Sequence, residues 1–533
     1  MDYRNPAECL AEIARLNPLE VDRTRTLLTR IVGSLLEAMP ALNQHLEVLE
    51  AARETIARVQ AECARRYAAH PLPPDSEENN TLQSVVGLWQ AMARSYAHIA
   101  RQDAPHGTLA EQLPLLIQRR LHYTGLALLE YLRAHRAVPN GLWLDLHDCA
   151  ALAERSGKLR IRVSDPLNEV WRAQSPLEAY IAVLLVELAN PFGRSEDEFK
   201  LICKWAQRFA PYCDLAVQPD RSRNAVYALD FSQDHALRPL GMLPATDSVR
   251  RFDGSRLAAQ MQAAFGQLKR GASPASLGLG RDTAASTAAR LLVSLYRPWG
   301  LGSAGRRFPR RGAKGTTSLC GDWLAIGYHV AGRIFEQPRP YNGLNSLHSD
   351  IGLLTFGERA PEATQPISAA ERERRAEALG FACVRWQVAD QSVSGFRLVQ
   401  MQEHERLEHH QLIGIRPPDG EHFLLAQISW LMYRNDGVME AGVQVLPGLP
   451  QVIAARVLTL QPGNRTPYSQ AFLLPGSAAL NTADALVLPQ GWFQPNRVLE
   501  VFRDGTPWHY RLRKSLAQGP NFEQVSFEIL AKQ

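Results

Sequence analysis

The chain has 533 residues but only seven cysteines, and no two of them form a C-x-x-C pair. Cys9, Cys63, Cys149, Cys203, Cys213, Cys320 and Cys383 are odd in number and scattered, most of them in helix-like apolar surroundings. A disulfide framework is thereby excluded, and reduced thiols in a cytoplasmic protein are expected. No run of 18 apolar residues occurs, so no helix is expected to insert into a membrane. The start, Met1 to Glu8, lacks a basic segment followed by an apolar one, so no signal peptide is expected. Charge is modest as well. Asp, Glu, Lys and Arg make up 21% of the residues with a formal net charge of +5, too small by itself to imply nucleic acid.

The patterns of enzymes are missing too. There is no Walker A loop, no G-x-S-x-G elbow and no H-E-x-x-H. No G-x-G-x-x-G leads from a strand into a helix, and Gly278-Leu279-Gly280 is only a turn. His404, His409 and His410 cluster, but no cysteine or further ligand group accompanies them at metal spacing. No catalytic residue, no metal and no cofactor are therefore expected.

What is present divides by periodicity. Residues 1–215 read as α-helical. Leu27, Leu28, Ile31, Val32, Leu35, Leu36 and Met39 form one apolar stripe at helical spacing. A second runs from Leu42 to Cys63, and a third from Leu82 to Ile99. Thr108-x-x-Glu111, Ser175-Pro176-Leu177-Glu178 and Ser195-x-x-Glu198 read as helix starts, because a hydroxyl and a glutamate three residues on cap each other's backbone donors. No repeat of fixed period is found. A helical bundle or irregular solenoid that contacts a protein partner is expected. Residues 216–300 read as mixed, with a strand over Val226–Phe231 and helices over Arg256–Leu268 and Thr283–Tyr296.

From about 301 the apolar spacing shortens towards two. Thr316–Cys320 and Trp323–Val330 read as the first strands of a barrel, and about 331–380 as an insertion. Strands then follow closely up to Val452–Leu460, with Pro417-Pro418-Asp419-Gly420 and Asn435-Asp436-Gly437 as hairpin turns. Residues 461–533 continue as a β extension or second small β domain. The expected fold is α+β, with a helical N-terminal region ahead of an antiparallel barrel at 301–460. Trp323, Trp386, Trp430, Trp492 and Trp508 read as barrel core.

Two stretches carry chemistry. Arg306-Arg307-Phe308-Pro309-Arg310-Arg311 packs four guanidiniums into a glycine-rich loop and holds two R-x-x-x-R pairs, Arg306/Arg310 and Arg307/Arg311. Such a cluster suits an anion, because arginine pairs bidentately with phosphate or with the O6 and N7 of guanine. Further on, Asp390-Gln391-Ser392-Val393-Ser394-Gly395 reads D-x-S-x-x-G on a turn between two strands. There a carboxylate and a hydroxyl are presented together, and the glycine allows positive φ or close backbone approach.

An R-x-x-x-R loop ahead of a β-barrel, with D-x-S-x-x-G on a later strand turn, resembles the PilZ domain, a family that binds the bacterial second messenger cyclic di-GMP. The run Phe423–Leu446 resembles the paired strands that follow the second motif in that family. The likeness covers roughly 300–460. It departs from the usual pattern in the long interval between the motifs, which requires the insertion. The resemblance implies a non-enzymatic receptor. Arg307 and Arg311, or Arg306 and Arg310, would grip phosphates and guanine faces, and Asp390, Ser392 and Gly395 would meet a guanine edge. Nucleic acid is not expected as a partner. The alternatives are a nucleic-acid adaptor acting through the basic loop, and a PilZ-like scaffold that binds no nucleotide.

Overall fold

The computed structural model describes all residues except 1–2, 218–225, 302–310, 314, 339–368, 393, 402–405, 459–465, 479–480, 504 and 533. It divides into two compact units, one made of Met1–His70 and Pro74–Arg306, the other of Pro71–Pro73 and Arg307–Gln533. The fold is α+β.

The first unit is built from α1 (Pro6–Ile13), α2 (Val21–Ala38), α3 (Leu42–Ala64), α4 (Ser76–Asp103), α5 (Leu113–Arg133), α6 (Leu142–Arg155), α7 (Pro176–Leu188) and α8 (Glu196–Phe209). The α2 stripe turns Leu28, Ile31, Val32 and Leu35 inward, as its spacing requires. Ser175 and Glu178 form a reciprocal capping box at α7, and Ser195 caps α8. Thr108 does otherwise. Its hydroxyl donates to Asp103 at the end of α4, and the Leu109 amide donates to the same carboxylate at 3.0 Å. The helical start expected there is replaced by a short 3-10 turn, and α5 begins at Leu113 without a side-chain cap.

Between α6 and α7 lies a two-stranded hairpin, β1 (Val163–Ser164) with β2 (Ala173–Gln174). After α8 come β3 (Asp214–Ala216), β4 (Tyr227–Asp230), β5 (Arg238–Pro239) and β6 (Val249–Asp253), in a sheet ordered β3-β6-β4-β5. The helices α9 (Ser255–Lys269) and α10 (Ala285–Tyr296) follow. These elements share one continuous hydrophobic core with α1–α8, through Phe252, Leu257, Leu291, Leu295 and Trp299. The Trp299 indole also donates to the Leu185 carbonyl of α7 at 2.7 Å.

The second unit holds two barrels. Its strands are β7 (Arg311–Gly312), β8 (Thr316–Cys320), β9 (Val384–Ser392), β10 (Gly395–Gln400), β11 (Leu412–Arg416), β12 (Leu424–Tyr433) and β13 (Met439–Val445). Their pairings run β8-β9-β10-β13-β12-β11 and back to β8, which closes a six-stranded ring. Closure removes the free edges that an open sheet would expose. Trp386, Leu398, Ile413, Ile428, Leu431 and Val443 fill the interior.

The second barrel contains β14 (Gln451–Val457), β15 (Ser469–Leu474), β16 (Ala485–Pro489), β17 (Val498–Arg503), β18 (Thr506–Gln518) and β19 (Phe522–Lys532), in the order β14-β15-β16-β19-β18-β17. The strand read as Val452–Leu460, the last of the first barrel, therefore begins the second. The first ring is already complete without it, because β10 returns to β9.

The other correction concerns Trp323–Val330, which is helical: α11 spans Trp323–Ala331. Asp322 caps its start, accepting from the Ala325 amide at 2.8 Å, and Gly332 ends it at φ +72°. Its apolar run is buried on two sides and so shows no helical stripe. Ile326 packs with Leu412 and Leu425 of the first barrel and with Phe472 of the second. The Trp323 indole donates to the Gln470 carbonyl at 3.1 Å, and a Cβ on Gly327 would collide with the Gln470 side chain at 2.0 Å.

Candidate functional site

The D-x-S-x-x-G stretch is the hairpin between β9 and β10. Asp390 and Ser392 lie on the last residues of β9, and Gly395 opens β10. The cross-strand pairs are Ser392 with Gly395 and Asp390 with Arg397. A register shift between Arg397 and Leu398 separates this tip from the barrel interior. Leu398 thus points inward, whereas Asp390, Ser392 and Arg397 face outward.

Gly395 is required for close approach and not for positive φ. An added Cβ would lie 2.1 Å from the Val443 carbonyl oxygen on β13, an unyielding backbone neighbour. The Ser392 hydroxyl donates to the Gly395 carbonyl at 3.3 Å, which ties the turn together. The Arg397 Nε donates to Asp390 at 2.7 Å, and its Nη1 lies 3.4 Å from Glu440. Glu440 also accepts from Arg434 at 3.0 Å, so alternating charges run across β9, β10, β13 and the end of β12.

Of the basic cluster, Arg311 lies in β7 and is exposed. The β7–β9 register pairs Arg311 with Gln391 and Gly312 with Asp390. The end of the arginine segment is therefore hydrogen-bonded, backbone to backbone, beside the carboxylate of the second motif. Arg306, Arg307 and Arg310 lie outside the described residues, as do most of the insertion and His404.

Three residues join this surface that sequence reasoning passed over or read differently. Arg397 and Glu440 carry no motif; only the strand register brings them to Asp390. Trp430 was expected in the core, but it is half-buried on the outer face of β12. There it lies over Gly442, whose Cβ would fall 1.9 Å from the indole Nε1. Gly442 in turn pairs with Arg397. A flat ring, a guanidinium and a carboxylate thus lie in one row across four strands. Trp386, by contrast, is fully buried.

Charged groups in the helical unit are organised differently. Asp165 accepts from Arg53 at 2.8 Å and lies 3.2 Å from Arg119, with all three side chains almost wholly excluded from solvent. Glu50 bridges the same two arginines and accepts from the Tyr96 hydroxyl at 2.6 Å. A groove of about 210 Å³ between α4, α5 and α6 is lined by Arg94, Arg101, Arg120 and Asp145, among others. Among the described residues no helix is long and apolar enough to cross a membrane.

Residues 7–220 match the family model described as "Cyclic-di-GMP receptor FimW, N-terminal domain", and residues 453–530 match that of the "FimW C-terminal beta-barrel domain". The helical region and the second barrel are thus the matched parts, and the first barrel lies in the interval between them. Along nearly its whole length the chain is also similar to one curated protein, the cyclic-di-GMP receptor FimW of Pseudomonas aeruginosa. The two are 21% identical over 553 residues, covering 97% of this chain and 89% of that one.

Proposed function

We propose that this chain is a non-enzymatic, cytoplasmic receptor for cyclic di-GMP. In this reading the dinucleotide sits on the first barrel, between the arginine segment 306–311 and the outward row Asp390, Ser392, Arg397 and Trp430. One observation carries it: the pairing of β7 with β9, which brings the end of the arginine segment to Asp390 across the long interval in sequence. The barrel strands that carry the motifs occur in the order the PilZ resemblance implies, with the insertion between β8 and β9. The similarity to a named cyclic-di-GMP receptor supports the same ligand.

The chemistry is matched on both sides. The ligand offers two phosphates and two guanines. Arginine forks suit the phosphates and the guanine acceptors. The N1 and N2 donors of a guanine suit a carboxylate acceptor. Arg397 now holds the Asp390 carboxylate in place, and a half-buried pair that still reaches solvent exchanges partners at modest cost. Trp430 offers a face on which a base can stack, a contact worth about 1–3 kcal/mol per base. Binding would draw the two motifs onto one ligand and so alter what the unit presents to a protein partner.

Isothermal titration of the full chain with cyclic di-GMP is the test. Saturable binding at or below ~10 μM is expected for a signal-level ligand. Arg307→Ala, Arg311→Ala and Asp390→Ala should each weaken it at least about tenfold, the loss of one charge-assisted contact. Absence of heat at tens of micromolar would leave a scaffold. Binding of RNA or DNA with steep salt dependence, indifferent to Asp390, would favour the nucleic-acid reading instead.

A further inference from the structure

We propose that Cys320, His329 and Cys383 form a site for a soft divalent metal ion of the zinc class, with two sulfur ligands and one imidazole nitrogen. The three come from three elements of the second unit. Cys320 ends β8, His329 lies in the last turn of α11, and Cys383 immediately precedes β9. The register Leu319 with Val384 carries the two cysteines to opposite positions at the end of the β8–β9 ladder. Helix α11 then turns the chain back so that His329 meets them.

The candidate ligand atoms all lie within 4.8 Å of one another, and the Cys383 Sγ is 3.2 Å from the His329 Nε2. Tetrahedral zinc, with Zn–S near 2.3 Å and Zn–N near 2.0–2.1 Å, sets its ligand atoms roughly 3.5–4 Å apart. Small side-chain shifts suffice to reach that arrangement. The imidazole is already oriented. Its ring stacks on Phe423 with centroids 4.7 Å apart, and its Nε2 lies 2.8 Å from the Phe381 carbonyl. An ion would replace that hydrogen bond.

The chemistry of the donors narrows the ion. Two thiolates and an imidazole select zinc-like metals over magnesium or calcium, which take oxygen ligands. Cys320 is buried, while His329 and Cys383 are half-buried, so an ion can enter from their side.

Cys320 and His329 precede the insertion and Cys383 follows it. The ion would fasten the two roots of that excursion together, at the end of the β8–β9 ladder opposite to Asp390. The site neither needs the dinucleotide nor touches the row that would hold it.

The test uses the full chain, kept reduced, loaded with Zn²⁺ and desalted before metal analysis. A parallel Co²⁺ loading gives a thiolate-to-metal charge-transfer band if the sulfurs ligate. About one ion per chain is expected, with the cobalt band, and at least about tenfold less metal in Cys383→Ser and in His329→Ala. Cys203→Ser, which alters a half-buried cysteine of the helical unit, should keep the full content. Circular dichroism separates lost ligation from lost folding, and the wild-type cobalt band stands apart from any variant. Metal retained in Cys383→Ser, no cobalt band in the wild type, or a Cys320–Cys383 disulfide under these conditions would overturn the site.

Discussion

Two ion networks, one in each unit, use the same residue types to opposite ends. In the helical unit Arg53, Arg119 and Asp165 are sealed off, with side-chain exposures of 4%, 1% and 1%. Burial pushes the Asp165 carboxyl up, but the charges around it, Arg119 and Arg53 among them, outweigh this and hold it below the usual range. The guanidinium donors there are taken up by Asp165, Glu50, the Tyr123 hydroxyl and the Ser164 carbonyl of the hairpin, and Glu50 also accepts from the Tyr96 hydroxyl. Such a network locks α3, α4 and α5 to β1 and has nothing to offer a ligand. On the first barrel, Arg397 and Arg434 each remain 39% exposed while they bridge Asp390, Glu440 and Asp436. A partner there can be traded for a phosphate or a base. The two networks differ in access to solvent, not in partner count.

The comparison is broken most directly by deleting one carboxylate from each network. Asp165→Ala leaves two buried guanidiniums to share the Glu50 carboxylate and should cost about 3–5 kcal/mol, read as a large drop in the urea midpoint. Asp390→Ala should change stability by less than about 1 kcal/mol, because its pair is solvated, while still weakening the dinucleotide. Equal destabilisation by the two would end the distinction between them.

Two glycines sharpen it within the site. Gly395→Ala drives a methyl into the Val443 carbonyl and should cost about 1–3 kcal/mol with some loss of the β10–β13 pairing, visible as faster amide exchange. Gly312, paired with Asp390 but open on its Cβ side, should accept alanine within about 0.5 kcal/mol.

Acid gives a separate test in the helical unit. His45 is fully buried on α3, and burial, followed by the charge of His98, lowers its pKa to about 4. Between pH 6.5 and about 4 the unfolded chain therefore binds a proton that the folded chain refuses. The contribution of His45 is whole above pH 6.5 and declines by about 1.4 kcal/mol per unit as the pH falls through that window. His45→Gln should flatten that part of the pH–stability curve of the full chain, measured by chemical denaturation. An unchanged slope would place the acid sensitivity elsewhere.

Much of the fold was legible because it rests on local patterns. The α2 stripe, the Ser175–Glu178 box and the turns at Pro417–Gly420 and Asn435–Gly437 each reflect a few adjacent residues. The Trp323–Val330 segment was misread for a physical reason. A helix gripped by two barrels has no polar face, so periodicity fails, and only Asp322 and Gly332 marked its ends. Trp430 was misplaced because alternation along β12 breaks at the register shift between Ile428 and Trp430. The hairpin tip could be named from D-x-S-x-x-G, but Arg397 and Glu440 could not, since cross-strand neighbours carry no local signature.

The sequence alone determined the helical and β halves, the two candidate motifs and the absence of any recognisable catalytic set. Those follow from spacing of a few residues, where periodicity, capping and turn chemistry act. Tertiary structure decided that β9 and β10 close the first ring, that Gly312 lies beside Asp390, and that Cys320 meets Cys383. Each is a matter of strand register across a long interval, and register is set by which residues a closed barrel must bury, not by the residues next to them in the chain.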